Sequence, residues 1–177
     1  TSKDSFNLKK LTTDVKSEVV VIGGGYTGLS CAINLIENYN LDVILLEAGK
    51  TYLISGSIEI PEGKKLELVG LENNGGRPAT IQPAAASDGS NPFENQMFNL
   101  KTDDSNLSLS NLILHARLDG SFDHGVGIAA ASGARNKIVV DNCVISHVNY
   151  LAFYTMGKNS DFHIINTVAK EFTSGPG

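Results

Sequence analysis

The residues best equipped for proton chemistry are His147 and Glu171, which fall at the same position of a 24-residue repeat described below. A histidine beside a carboxylate can act as a base, and Lys170, next in the chain to Glu171, can supply the balancing charge. Asp123 and His124 form a second acid and imidazole set, followed by Gly125 and preceded by Arg117 and Asp119. They sit in what reads as a loop inserted between regular strands, and an insertion on a repetitive scaffold is where a binding cleft is commonly built. For each set the competing reading is a solvated turn or surface pair without chemistry. Asp103-Asp104 has the oxygen ligands for calcium, but adjacent acids are more often only a turn, so no metal is assigned. A third group is different in kind: Gly23-Gly24-Gly25-Tyr26-Thr27-Gly28 is a turn that only glycines make so tightly, and Glu47 lies further along.

The elements that must position these groups follow from hydrophobic periodicity. Residues 1–17 are polar and aperiodic and read as an arm. Glu18 to Ile22 is a β-branched run, consistent with a buried strand. After the glycine turn, Leu29, Ala32, Ile33 and Ile36 recur on one helical face, and the pattern stops near Asn38 to Asn40. Leu41 to Leu46 predicts a second strand, closed by Glu47. The order strand, helix, strand ends near Ala48 to Lys50, where the texture changes to short strands separated by Gly, Asn, Asp and Ser turns.

That second region repeats. Gly127 to Val148 aligns over Leu151 to Phe172 at a period of 24, setting Gly133 on Gly157, Ile138 on Phe162, Val140 on Ile164, Asn142 on Asn166 and Val144 on Val168. Leu107, Leu109 and Asn111 form an earlier copy, and the insertion around Leu118 to Val126 absorbs the extra residues. Leu66, Leu68 and Gly70 form a still earlier one. Residues at i and i+2 then point into a core, and successive coils pair in parallel about 4.8 Å apart, so like stacks on like. The recurring Asn suits a turn in the left-handed region and predicts a side-chain ladder from Asn111 through Asn142 to Asn166. The fold class expected is therefore mainly β: a right-handed parallel β-helix of about five coils over 49–177, opened by a strand-helix-strand element at 18–48.

Composition narrows the partners. The chain has 177 residues, is 41% hydrophobic and 19% charged, and contains 18 Gly and no Trp, the profile of a globular chain. Net charge is −5 and the 14 Lys and Arg are scattered, so neither nucleic acid nor an anionic membrane is indicated. No apolar run approaches the ~20 residues of a membrane span. Cys31 and Cys143 show no metal or redox spacing and read as buried thiols. The sequence stops at Ser174-Gly175-Pro176-Gly177 with no capping element, which predicts a truncated solenoid able to self-associate through an open coil end.

Two family resemblances attach to these residues. Gly49-Lys50-Thr51-Tyr52-Leu53-Ile54-Ser55-Gly56-Ser57-Ile58-Glu59-Ile60-Pro61 resembles the opening coil of the pectate-lyase-like superfamily, and Leu66 to Gly70 resembles its next strand. That superfamily includes lyases, hydrolases, epimerases, tailspikes and adhesins, so the resemblance implies binding or acting on an acidic polysaccharide, in an extracellular setting. A structural solenoid of adhesin or tail-fibre type is the non-catalytic alternative. The segment from Val19 to Gly28, with Leu29, Ala32 and Glu47, resembles the FAD-binding start of glycine-oxidase and D-amino-acid-oxidase-type flavoproteins. It implies that Gly23 and Gly25 shape the turn and admit the pyrophosphate, Gly28 permits close helix packing, and Glu47 binds the ribose hydroxyls. FAD, and a cytoplasmic setting, would follow only from that second resemblance. The later flavoprotein segments do not follow Glu47, so a cap over the solenoid core and a fusion of unrelated genes both remain open for residues 18–48.

Overall fold

The computed structural model describes residues 19–22, 43–72, 75–93, 96–118, 126–148 and 151–172. Among them the protein is mainly β, with stacked parallel strands in three sheets and no helix. Strand β1 (Val19–Ile22) pairs in parallel with β2 (Val43–Leu46), which lies against β5 (Lys65–Gly70), then β8 (Asn106–Ser110), β11 (Lys137–Asp141) and β14 (Asp161–Ile165). A second sheet runs β3 (Thr51–Ile54), β6 (Ala79–Pro83), β9 (Leu112–His115), β12 (Val144–Ser146) and β15 (Val168–Lys170). The third runs β4 (Ile58–Glu59), β7 (Gln96–Leu100), β10 (Gly127–Ala131) and β13 (Phe153–Thr155). From β2 onward the chain visits the first, second and third sheets in turn and then returns to the first, which is the path of a solenoid.

The strands form because alternate residues are apolar and each coil covers the next. Leu66 stands opposite Leu107, which stands opposite Ile138, and Leu68, Leu109 and Val140 form a parallel file, all of them buried. Ile138 then meets Phe162 and Val140 meets Ile164, as the 24-residue period requires. In the second sheet Val144 does align with Val168, but the inward position belongs to the next residue, Ile145, and Val144 faces outward. Ile44, Leu46, Tyr52 and Ile54 belong to the same core, so β2 and β3 pack as part of the stack. The helix expected over Leu29 to Ile36, and with it the centre of the strand-helix-strand element, lies outside the described residues. So do residues 1–17 and Cys31.

The turns explain the asparagines. Asn111, Asn142 and Asn166 all have left-handed backbones, with φ of 56°, 50° and 47°. Asparagine tolerates this conformation better than most residues, and stacking places it at one corner of successive coils. The Asn142 side-chain amide donates to Asn111 Oδ1 at 2.8 Å, whereas the Asn166 amide donates to Asp141 Oδ1 at 3.2 Å. The ladder thus has one Asn-to-Asn rung and one Asn-to-Asp rung. Asn142→Ala is expected to cost about 1–2 kcal/mol, from the lost hydrogen bond and the strained φ together. Asn142→Gly should recover the conformational part only, and urea melts of the two variants separate the contributions.

Beyond β13, β14 and β15 the described residues add no further strand to the stack. Ile164 occupies the inward file yet is 52% exposed, while Val140 beneath it is fully buried. Val168, Met156, Phe172, Ile165, Leu151 and Tyr154 are also exposed there. The described residues leave one edge of β13, β14 and β15 without a partner strand.

Candidate functional site

The second sheet ends in a turn that gathers titratable side chains. Along β9, Leu112 and Leu114 face the core, so Ile113 and His115 face outward. Register sets Ser146 of β12 beside His115, and Lys170 of β15 beside Ser146. One residue later, His147 and Glu171 take left-handed conformations, with φ of 58° and 56°. This backbone swings both side chains to the same side of the turn. The His147 Nδ1 lies 3.3 Å from Glu171 Oε2, so the two residues that the period places one above the other do meet. The contact has ion-pair distance but not hydrogen-bond geometry, and this buried Nδ1 has no hydrogen-bond partner.

His115 completes the group. Its ring centroid is 4.3 Å from that of His147, tilted by 46°, and its Nδ1 is 3.2 Å from Ser146 Oγ. Burial is the main cause holding the His115 pKa below the ordinary imidazole value of 6.5, and the charges of His147, Arg117 and Arg77 add to it, against a smaller opposite pull from Glu171. His115 is therefore neutral near pH 7, as a proton acceptor must be.

Chemically, the cluster is an imidazole with a lowered pKa, a second imidazole at ion-pair distance from a carboxylate, and two arginines, Arg77 and Arg117, near enough for their charges to act on His115, with Lys170 beside Ser146 in the register. It is not a hydrolytic triad. In such a triad the imidazole uses Nε2 toward the serine and Nδ1 toward the acid, whereas here Nδ1 of His115 meets the serine and the acid is on the other histidine. Ser146 is also only 4% exposed and offers no route for attack on a polymer.

The depressed His115 pKa carries a consequence for stability. The unfolded chain binds a proton at about pH 6.5, while the folded chain binds it only at lower pH. The contribution is thus present above about pH 6.5 and lost as pH falls through the folded value. Urea midpoints measured downward from pH 7 should fall on this account, and His115→Gln should flatten the decline.

Other residues singled out from the sequence are placed as follows. Asp123 and His124 lie outside the described residues, as do Asp119, Gly23, Gly25 and Gly28. Asp104 makes a two-point contact with Arg135, at 2.8 Å to Nε and 2.6 Å to Nη2, which holds its carboxyl below the usual range, and Asp103 Oδ1 accepts from the Ala134 amide. These acids are engaged in tying two coils together. Cys143 is buried and its thiol is pushed up to about 11, so it is a core residue. Glu47 is exposed at the end of β2, and its amide donates to the Tyr52 hydroxyl at 2.8 Å. Beside it, β1 and β2 run parallel in register, Val19 opposite Val43 and Ile22 opposite Leu46.

His115 and Ser146 were not among the residues the sequence singled out. The signal was present: they stand 31 residues apart, the same offset that brings Leu107, Leu109 and Asn111 under Ile138, Val140 and Asn142.

No curated protein and no solved structure matches the chain. One family model does match, FAD dependent oxidoreductase, over residues 18–55, a stretch that contains β1, the glycine turn, β2 and β3.

Proposed function

We propose that the protein binds an acidic polysaccharide on the outward face of its second sheet, with His115, His147 and Glu171 at the centre of the site and the buried Ser146 holding the His115 ring. The observation that carries this is two histidines 4.3 Å apart, with Arg77 and Arg117 near enough for their charges to act on His115 and Lys170 next in the register after Ser146, on a protein whose net charge is −5. A local cationic surface on an acidic chain is where an anionic ligand is drawn. For turnover, neutral His115 would take the C5 proton next to a uronate carboxylate, the freed electron pair would form the C4–C5 double bond as the C4–O glycosidic bond breaks, and the departing oxygen would take a proton from solvent. We infer further that the solenoid is a right-handed parallel β-helix of about five coils, of the pectate-lyase-like kind. A connection from one strand to the next parallel strand of the same sheet is right-handed in about 98% of cases, which favours that hand.

The test is titration with polygalacturonate and with neutral dextran, followed by ultraviolet detection of unsaturated products. Binding with product identifies a lyase, and binding alone a recognition module. No binding to either would leave the structural solenoid. Self-association is proposed from the exposed apolar side chains of Ile164, Val168 and Phe172. Sedimentation is expected to show a mass that rises with concentration, and Val168→Lys to reduce it.

A second reading, an FAD-dependent oxidoreductase fragment or fusion, is favoured by the match over residues 18–55 and by the parallel pairing of β1 and β2 with Glu47 at the strand end. Dinucleotides bind at the carboxyl ends of such strands. The described residues fit the ribose end of the cofactor. They do not fit the rest: β5 continues the sheet beyond β2, and among the described residues no strand flanks the other edge of β1, where the second half of the crevice would stand. Residues 18–48 are better accounted for as the cap and lead-in of the solenoid, since Ile44 and Leu46 already lie in its core. A visible spectrum before and after adding FAD and desalting decides. Retained flavin bands would favour the oxidoreductase, and a colourless protein the cap.

A further inference from the structure

We propose, resting on the reading of His115 as the proton acceptor, that Nε2 is its accepting atom and that Ser146 and His147 are positioning residues which keep it so. The two nitrogens of the ring have different surroundings. Nδ1 lies 3.2 Å from Ser146 Oγ, and Ser146 is only 4% exposed, so no substrate arrives at that edge. Nε2 lies across the ring, on a half-buried side chain that faces outward from β9. Two arrangements satisfy the Ser146 contact. If the hydroxyl donates, Nε2 carries the hydrogen and the lone pair of the ring is spent on Ser146, out of reach. If the hydroxyl accepts, Nδ1 carries the hydrogen and the Nε2 lone pair faces outward. Only the second serves a base. It also needs no rearrangement when the proton arrives, because the Nδ1–H of the resulting cation is already bonded to Ser146.

His147 keeps the ring in that orientation. Half a turn of the His115 ring would set a carbon against Ser146 and lose the contact. The His147 ring, tilted by 46° with its centroid 4.3 Å away, occupies one face of His115 and opposes that turn. Glu171 Oε2, 3.3 Å from His147 Nδ1, backs the His147 ring in its place. The backbone shows that this arrangement is no by-product of stacking. His147 and Glu171 are left-handed, with φ of 58° and 56°, a conformation uncommon for any residue but glycine. Ala116 follows His115 as His147 follows Ser146, so the two stand in register, yet Ala116 is not left-handed. The solenoid thus passes this corner without strain in one coil and with strain in the next two, where it brings imidazole and carboxylate together. Strain kept where the fold does not require it points to function.

The experiment is nitrogen NMR of the whole protein labelled at histidine, at neutral pH, with the His115 signals assigned by their loss in His115→Gln. The wild type is expected to show a protonated Nδ1 and a bare Nε2. Ser146→Ala should move the ring toward the Nε2–H form and lower turnover of polygalacturonate about tenfold, while Ser146→Thr, which keeps the hydroxyl, restores both. His147→Asn, which suits the left-handed backbone, should leave the urea midpoint in place but give a mixture of the two forms. A protonated Nε2 in the wild type, or a ratio of forms that neither Ser146→Ala nor His147→Asn alters, would overturn the proposal. A protonated Nδ1 in a protein that binds no polygalacturonate would overturn the polysaccharide reading and leave the placement of His115 standing.

Discussion

Gly133→Ala is expected to destabilise the protein by about 3 kcal/mol, the upper range for forcing atoms into a filled space. A Cβ at Gly133 would stand 2.1 Å from the Thr102 carbonyl oxygen and 2.3 Å from its carbon, distances at which backbone must move. The backbone on both sides is tied. The Gly133 amide donates to the Leu100 carbonyl, and the next amide, of Ala134, donates to Asp103. One coil further on the same contact recurs, since a Cβ at Gly157 would lie 1.8 Å from the Gly133 oxygen. Gly56 is the control: its nearest neighbour would be 4.0 Å away and its φ is not left-handed, so Gly56→Ala should change stability by less than about 0.5 kcal/mol. Urea melts of both variants are the measurement, and equal midpoints would show that glycine stacking does not hold this corner.

Reversing the charge at Arg77 or Arg117 is expected to weaken polygalacturonate binding by about 1.5–3 kcal/mol each, tenfold to a hundredfold. Both arginines act on His115, so both lie within electrostatic reach of the proposed contact surface. The loss should shrink as salt is raised, because exposed charges are screened over about 10 Å at 0.1 M ionic strength. Neutral dextran should show no such dependence. Unchanged affinity in both Arg77→Glu and Arg117→Glu would remove the cationic surround from the site and, with it, the argument for an acidic ligand.

Local sequence determined the pitch of the solenoid. The 24-residue period, the inward files of Leu66, Leu107 and Ile138, and the left-handed asparagine corner could all be read from residue types, because each follows from strand alternation or from one residue's tolerance of positive φ. The meeting of His147 with Glu171 was legible for the same reason, since equal positions in adjacent coils are neighbours. What tertiary structure decided is everything that depends on which face a turn leaves exposed. Val144 and Val168 match in sequence, yet they point outward, because β12 begins one residue after its corner and Ile145 takes the core. His115 joins the site only because the residues inserted before β10 leave the pairing of β9 with β12 undisturbed. Its neutral state arises from burial against His147 and from nearby arginines that are remote in sequence. The glycine turn and Glu47 illustrate the converse: the motif is complete in the sequence, but β2 pairs with β5 and commits its apolar residues to the solenoid core. A motif fixes which atoms are on offer, and the packing of its strands fixes what can reach them.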